Sequence, residues 1–148
     1  MWDQFIGRRS PVVTNTVERG AVRKFAQAIG DDNPLFKDEE AARVSRHGRL
    51  LAPPTFPVTF EYAPIEGFNL PGAGLIHGQQ GFSYQRPLYV GEDVSCYVTL
   101  DSANERNGAL GKMTFLILTS VGEDAEGKEI FRSSSTIIVT EAAQSAGA

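Results

Sequence analysis

Apolar positions along this chain follow a helical rhythm first and a strand rhythm afterwards. Val12, Val13, Thr14, Asn15, Thr16 and Val17 predict a short opening strand. From Glu18 the spacing turns helical, with Val22, Phe25, Ala26 and Ile29 on one stripe. Thr16 or Asn15 is placed to cap that helix, Glu18 suits its positive end, and Gly30 stands where a terminating glycine belongs. Asp31, Asp32 and Asn33 crowd the following turn, and Pro34 forbids the helix from continuing. Asp38 caps a short charged helix through Glu39, Glu40, Ala41, Ala42 and Val44, which Arg46-His47-Gly48-Arg49 breaks. The block Leu50 to Tyr62 carries conflicting signals. Thr55, Phe56, Val58, Thr59, Phe60 and Tyr62 are strand formers, whereas Pro53-Pro54 at the front, with apolar side chains all round, favours a buried helix. A helix is expected there, with Pro57 in or just beyond its first turn, and then a loop from Ala63 to Gly74.

Everything after that predicts strands. Leu75 to Tyr84 is one, interrupted by Arg86-Pro87 and turned by Gly91-Glu92. Val94, Cys96, Val98 and Leu100 alternate with polar positions, the period of a half-buried strand. Met113, Phe115 and Ile117 alternate likewise, while Leu116 and Leu118 make the second face apolar too. Asn107-Gly108 is expected in the loop between these strands. Glu123 to Lys128 turns the chain, Ile130 to Thr140 is the last strand, and 141–148 is expected to fray. The fold class is α+β: one domain over residues 1–148, with a curved antiparallel sheet wrapped around a central helix. Its predicted core includes Val22, Phe25, Ile29, Phe56, Phe60, Val94, Val98, Phe115 and Ile117. The Leu116 and Leu118 face is expected to be covered by a second copy or a partner.

Composition narrows the function classes. The 148 residues carry a net charge of −4, which argues against a nucleic-acid surface. The basic groups Arg8-Arg9 and Arg43, Arg46 and Arg49 read as solvated faces, with an anionic ligand as the alternative. Cys96 is the only cysteine, so no disulfide closes within the chain. With only two histidines beside it, a transition-metal site is not expected. No apolar run approaches a membrane span and the start lacks a signal-peptide core, so a cytoplasmic location is expected.

Candidate chemistry sits in two places. Asp31 and Asn33 read first as turn and cap residues, and second as polar groups of a pocket beside the apolar segment. His77, beside Gly78 on a strand, reads first as a structural imidazole and second as a base. His47 is expected to be exposed. Phe56, Phe60 and Tyr62 read first as core, and second as the lining of a tunnel for an apolar ligand.

Four short motifs in order carry a family resemblance: Gly30-Asp31-Asp32-Asn33-Pro34, Leu51-Ala52-Pro53-Pro54-Thr55-Phe56, His77-Gly78-Gln79-Gln80 and Arg86-Pro87-Leu88-Tyr89-Val90-Gly91-Glu92. From about Val17 to Val139 the chain resembles the MaoC-like hydratases and dehydratases of the hot-dog fold. Within them it is most similar to N-terminal dehydratase-type domains and to stand-alone subunits like the non-catalytic one of the mycobacterial (3R)-hydroxyacyl-ACP dehydratase. The resemblance implies a central helix from Pro53 to about Tyr62 and dimers that form one continuous sheet. It also implies acyl thioesters on coenzyme A or acyl carrier protein, reversible hydration of a trans-2 double bond, and no cofactor. In active members an Asp-x-Asn-Pro-x-His pattern supplies the acid–base pair, and a backbone N–H at the helix start stabilises the thioester oxygen.

By that resemblance Asp31, Asn33 and His77 are the candidate catalytic residues, and Pro54, Thr55, Phe56, Phe60 and Gly78 the candidate substrate-binding ones. The sequence departs from the pattern twice. Phe36 occupies the histidine position, and Pro54, which has no N–H, falls at the oxyanion glycine. Three readings follow, in order. The first is an acyl-binding subunit whose heterodimeric partner supplies the Asp–His pair. The second is a self-sufficient homodimeric hydratase using Asp31 and His77. The third is a hot-dog thioesterase in which Asp31 activates water.

Overall fold

The strand rhythm produces one five-stranded antiparallel sheet in the order β1-β3-β4-β5-β2. The computed structural model describes residues 2–109 and 111–146. The strands are β1 (Val13–Thr16), β2 (Leu75–Tyr84), β3 (Asp93–Gly108), β4 (Gly111–Glu123) and β5 (Glu129–Val139), and the helices α1 (Arg19–Ala28), α2 (Glu39–Val44) and α3 (Glu141–Ala146). Asn107 and Gly108, expected in the loop, instead extend β3 to its turn, where Gly108 pairs with Gly111. The tail expected to fray forms α3, which buries Ala143; residues 147 and 148 lie outside the described residues. No described helix is long and apolar enough to cross a membrane.

Register decides which face each strand buries. Leu100 pairs with Leu118, Cys96 with Gly122, and Gly122 in turn with Phe131, so these residues share one covered face. That face holds two apolar clusters. Val94, Cys96, Phe131, Phe56, Phe60, Val22 and Phe36 belong to the first. Leu100, Leu116 and Val139 belong to the second, with Trp2, Phe5, Ile65 and Phe68 over them. The expected assignment of β4 is therefore reversed. Leu116 is fully buried, while Phe115 and Ile117 lie on the opposite face and are half-buried. The cover over Leu116 also differs from expectation. It comes from this chain's own N-terminal residues and from the loop expected over 63–74, which buries Ile65 and Phe68.

The expected central helix is the main correction. Only Phe56–Thr59 is helical, as a single 3-10 turn. Its hydrogen bonds run three residues back, from Phe56 N to Pro53 O, Val58 N to Thr55 O and Phe60 N to Pro57 O. Pro57 removes a donor that an α-helix begun at Pro53 would need, whereas Pro53 and Pro54 fall in its first turn, where N–H groups have no helical partner. The turn still plugs the sheet with Phe56 and Phe60, whereas Val58 is exposed rather than buried.

The α1 helix ends as its sequence dictates. Gly30 adopts φ +71, its N–H reaches Gln27 O, and Asp31 N reaches Ala26 O, the paired bonds of a glycine-terminated helix. Along the predicted stripe Val22 and Ala26 are buried, but Ile29 is exposed. Neither Thr16 nor Asn15 caps the helix start. Thr16 donates to Asp93 Oδ1 (2.6 Å), and the Asn15 amide clasps both N and O of Glu61 (2.9 Å each).

Candidate functional site

The Asp31–Phe36 turn is built by its own side chains. Asp31 Oδ1 accepts from Asn33 N, and Asn33 Oδ1 accepts from Leu35 N, both at 3.0 Å. Asn33 thereby caps a 3-10 turn over Pro34–Phe36. Asp38 repeats the device, accepting from Glu40 N and Ala41 N at the start of α2. Two backbone bonds then pin the turn to the rest of the fold. Leu51 N donates to Leu35 O, and Ala52 N donates to Leu88 O.

These links border an open cavity of about 400 Å³. Asn33 and Phe36 of the turn, Leu51, Ala52 and Pro54, Tyr84 at the end of β2 and the following residues 85–88 line it. Its walls are mostly apolar, and Phe36 is buried at 6% exposure. Tyr84 closes one side by donating to Pro54 O at 2.6 Å. Burial raises the Tyr84 hydroxyl well above its ordinary pKa of 10.0, so it stays a donor across the neutral range. Tyr62 is raised chiefly by burial too, and donates to Pro57 O. Arg86, also on the wall, is bound to Glu92 by two bonds of 2.9 and 2.7 Å, and Glu92 additionally accepts from Tyr89 N.

The structure joins some of the candidate residues and separates others. Asn33, Pro54 and Phe36 line the cavity, whereas Asp31, half-buried, is not among its lining residues and reaches it only through its bond from Asn33 N. His77 and Gly78 lie near the other end of β2, roughly 20 Å along the strand from Tyr84. His77 is exposed and pairs with Ile137, and the register slips at Gly78 in a β-bulge. Within one chain, Asp31 and His77 are not brought together. Thr55 is exposed at the start of the Phe56–Thr59 turn. Phe56 and Phe60 are 2% and 9% exposed, stacked edge-on at 5.6 Å, and belong to the core rather than to the cavity wall.

Sequence reasoning missed Tyr84, Gln85 and Leu88 as wall residues. The Leu51 and Ala52 bonds and the packing of Phe36 with Leu88 bring them to residues 33–36, and such long-range contacts leave no local signature. The arginine groups are largely engaged within the chain. Arg43 pairs with Glu40, Arg49 lies over Tyr89 at 4.6 Å, and Arg9 lies over Tyr97 at 3.8 Å. Burial pushes the Cys96 thiol up to about 11, in keeping with an inert core residue.

Comparison with known proteins places this geometry. Residues 4–133 match the family profile described as FAS1-like, dehydratase domain region. A UPF0336 protein of Leifsonia xyli is 33% identical over 135 residues, covering 87% of this chain and 88% of that protein. Among solved structures, the HadBC (3R-hydroxyacyl-ACP dehydratase) complex of Mycobacterium tuberculosis is 22% identical with a TM-score of 0.71, covering 88% of this chain and 93% of that one. A MaoC-like dehydratase from Rhodospirillum rubrum is 22% identical with a TM-score of 0.70, covering 95% of each. The shared architecture is the hot-dog fold, here with one 3-10 turn where a central helix was expected. The 3-10 turn, the cavity and all of the sheet but the end of β5 sit inside the matched span, and the chain belongs to the FAS1-like dehydratase-region family.

Proposed function

We propose that this chain is the acyl-thioester-binding half of a two-subunit (3R)-hydroxyacyl thioester dehydratase, with the catalytic Asp–His pair on its partner. The reaction is reversible addition of water to a trans-2-enoyl thioester, hydroxyl to C3 and proton to C2. The observation that carries this reading is Phe36, buried against the cavity at the position where active relatives of this motif hold a histidine. A phenyl ring moves no proton, and Pro54 offers no N–H to the thioester oxygen. What remains is an apolar chamber with a polar rim, suited to holding an acyl chain. The partner is a second hot-dog subunit, either on coenzyme A or acyl-carrier-protein substrates.

Loss of enoyl-thioester absorbance tests this, measured with the pure chain and then on titration with a partner carrying the intact pair. The pure chain is expected to run about 10²–10⁴-fold below the mixture. Brisk hydration by the pure chain, abolished by His77→Ala, would replace this reading with the self-sufficient homodimer. Release of free thiol from acyl-CoA, lost in Asp31→Asn, would replace it with a thioesterase.

A further inference from the structure

The cavity beside Asn33 raises a question of donors. A thioester carbonyl entering it needs an N–H or O–H, and the wall has few left. The backbone N–H groups of Asn33, Phe36, Leu51, Ala52 and Gln85 already donate within the chain. Pro54 and Pro87 have none. The Tyr84 hydroxyl donates to Pro54 O, and the Arg86 guanidinium is committed to Glu92 and to Pro87 O. Among the side chains of the wall, two carboxamides are different. Asn33 uses its Oδ1 for Leu35 N, leaving Nδ2 without a partner among the described residues. Gln85 lines the cavity and is exposed, and its side chain makes no hydrogen bond among the described residues.

We infer that Gln85, assisted by Asn33, holds the neutral carbonyl of an acyl thioester at this rim and makes the cavity select thioesters over free carboxylic acids. The inference rests on the acyl-thioester reading above and adds to it a positioning residue and a charge preference. A carboxamide N–H suits an uncharged carbonyl oxygen. A carboxylate in the same place would find no uncommitted cation on the wall, since Glu92 neutralises Arg86. The site therefore retains the thioester and lets a hydrolysed acid go.

Titration calorimetry with the octanoyl thioester of N-acetylcysteamine, against octanoate, tests this on the full chain. The thioester is expected to bind about tenfold tighter or better than octanoate. Gln85→Leu should weaken the thioester about threefold to tenfold and leave octanoate unchanged. Asn33→Asp keeps the cap on Leu35 while removing the amide donor, and should weaken the thioester as well. With a ¹³C-labelled carbonyl, the infrared band should move to lower frequency on binding, and Gln85→Leu should abolish that shift. This readout is indifferent to a small loss of packing. If the thioester binds but neither its affinity nor its carbonyl band depends on Gln85, the inference falls and the proposed function stands. Octanoate binding as tightly as the thioester would also overturn it. Absence of thioester binding in the unmodified chain would overturn both.

Discussion

Gly122 pairs with Phe131 across β4 and β5, and a β-carbon there would overlap the Phe131 ring. The ring cannot swing away freely, because it packs against Phe60 and Tyr84 at 6.2 and 5.8 Å. Gly122→Ala should therefore cost about 1–3 kcal/mol by overpacking, read as a lowered midpoint in chemical denaturation. An unchanged midpoint would show that the Phe131 wall is looser than its contacts imply. Cys96 sets an alkaline limit. Its thiol is raised from 9.0 to about 11 by burial, so folding holds the proton that the unfolded chain releases. The associated stability is complete below pH 9 and disappears as pH climbs from 9 to 11. Cys96→Ala should delay the alkaline loss towards pH 10, where Tyr62 and Tyr84 begin to titrate in the unfolded state. A denaturation series across pH 8–11 reads this, and identical curves for the two proteins would refute it.

Individual elements were legible wherever one local rule governed them. Gly30, Asp38 and the strand Leu75–Tyr84 fall where sequence alone puts them, because a left-handed glycine, a capping carboxylate and a run of strand formers each act over a few residues. The segment around Pro53 was misjudged because two rules competed. Apolar character and Pro53-Pro54 argued for a helix, yet with Pro57 inside it the segment makes only bonds of 3-10 spacing. The β4 faces were misjudged for a different reason. Leu116, Phe115 and Ile117 are equally apolar, and only pairing of Leu100 with Leu118 and cover by Trp2 and Phe68 choose between them. Of the cavity's lining, Asn33 and Pro54 were visible in motifs, whereas Tyr84 and Gln85 arrive by tertiary contact. The loop that delivers Gln85 depends on the Arg86–Glu92 pair, whose side chains are 30% and 14% exposed. Glu92→Ala should free the guanidinium and the Tyr89 N–H together and cost about 1.5–3 kcal/mol. Glu92→Gln should recover part of that loss, and equal losses for the two variants would mean that charge alone matters there.

At the scale of the whole molecule, the two sheet edges are treated differently. The β1 edge is four residues long and tied down through the Asn15 clasp on Glu61. The β2 edge runs for ten residues without a single Asp, Glu, Lys or Arg, exposing Leu75 and Ile76 at 36% and 40%. An uncharged open edge of that length is a template for another strand unless something covers it. The covered face of the sheet is already filled by Trp2, Phe5 and Phe68, and the second subunit proposed above would dock on the β2 edge. Pairing there would continue the sheet across the two chains and bring the partner alongside Tyr84, next to the cavity. Lysines at Ile76 and Gln79, both exposed, should block this without disturbing the core. Sedimentation velocity is expected to show the unmodified chain associated, alone or with its partner, and the Ile76→Lys, Gln79→Lys double variant as a folded monomer. Enoyl-thioester hydration by the mixture should fall with association. A double variant that associates and supports hydration as well as the unmodified chain would move the interface off β2, and with it the route by which a partner's histidine reaches the acyl group held beside Asn33.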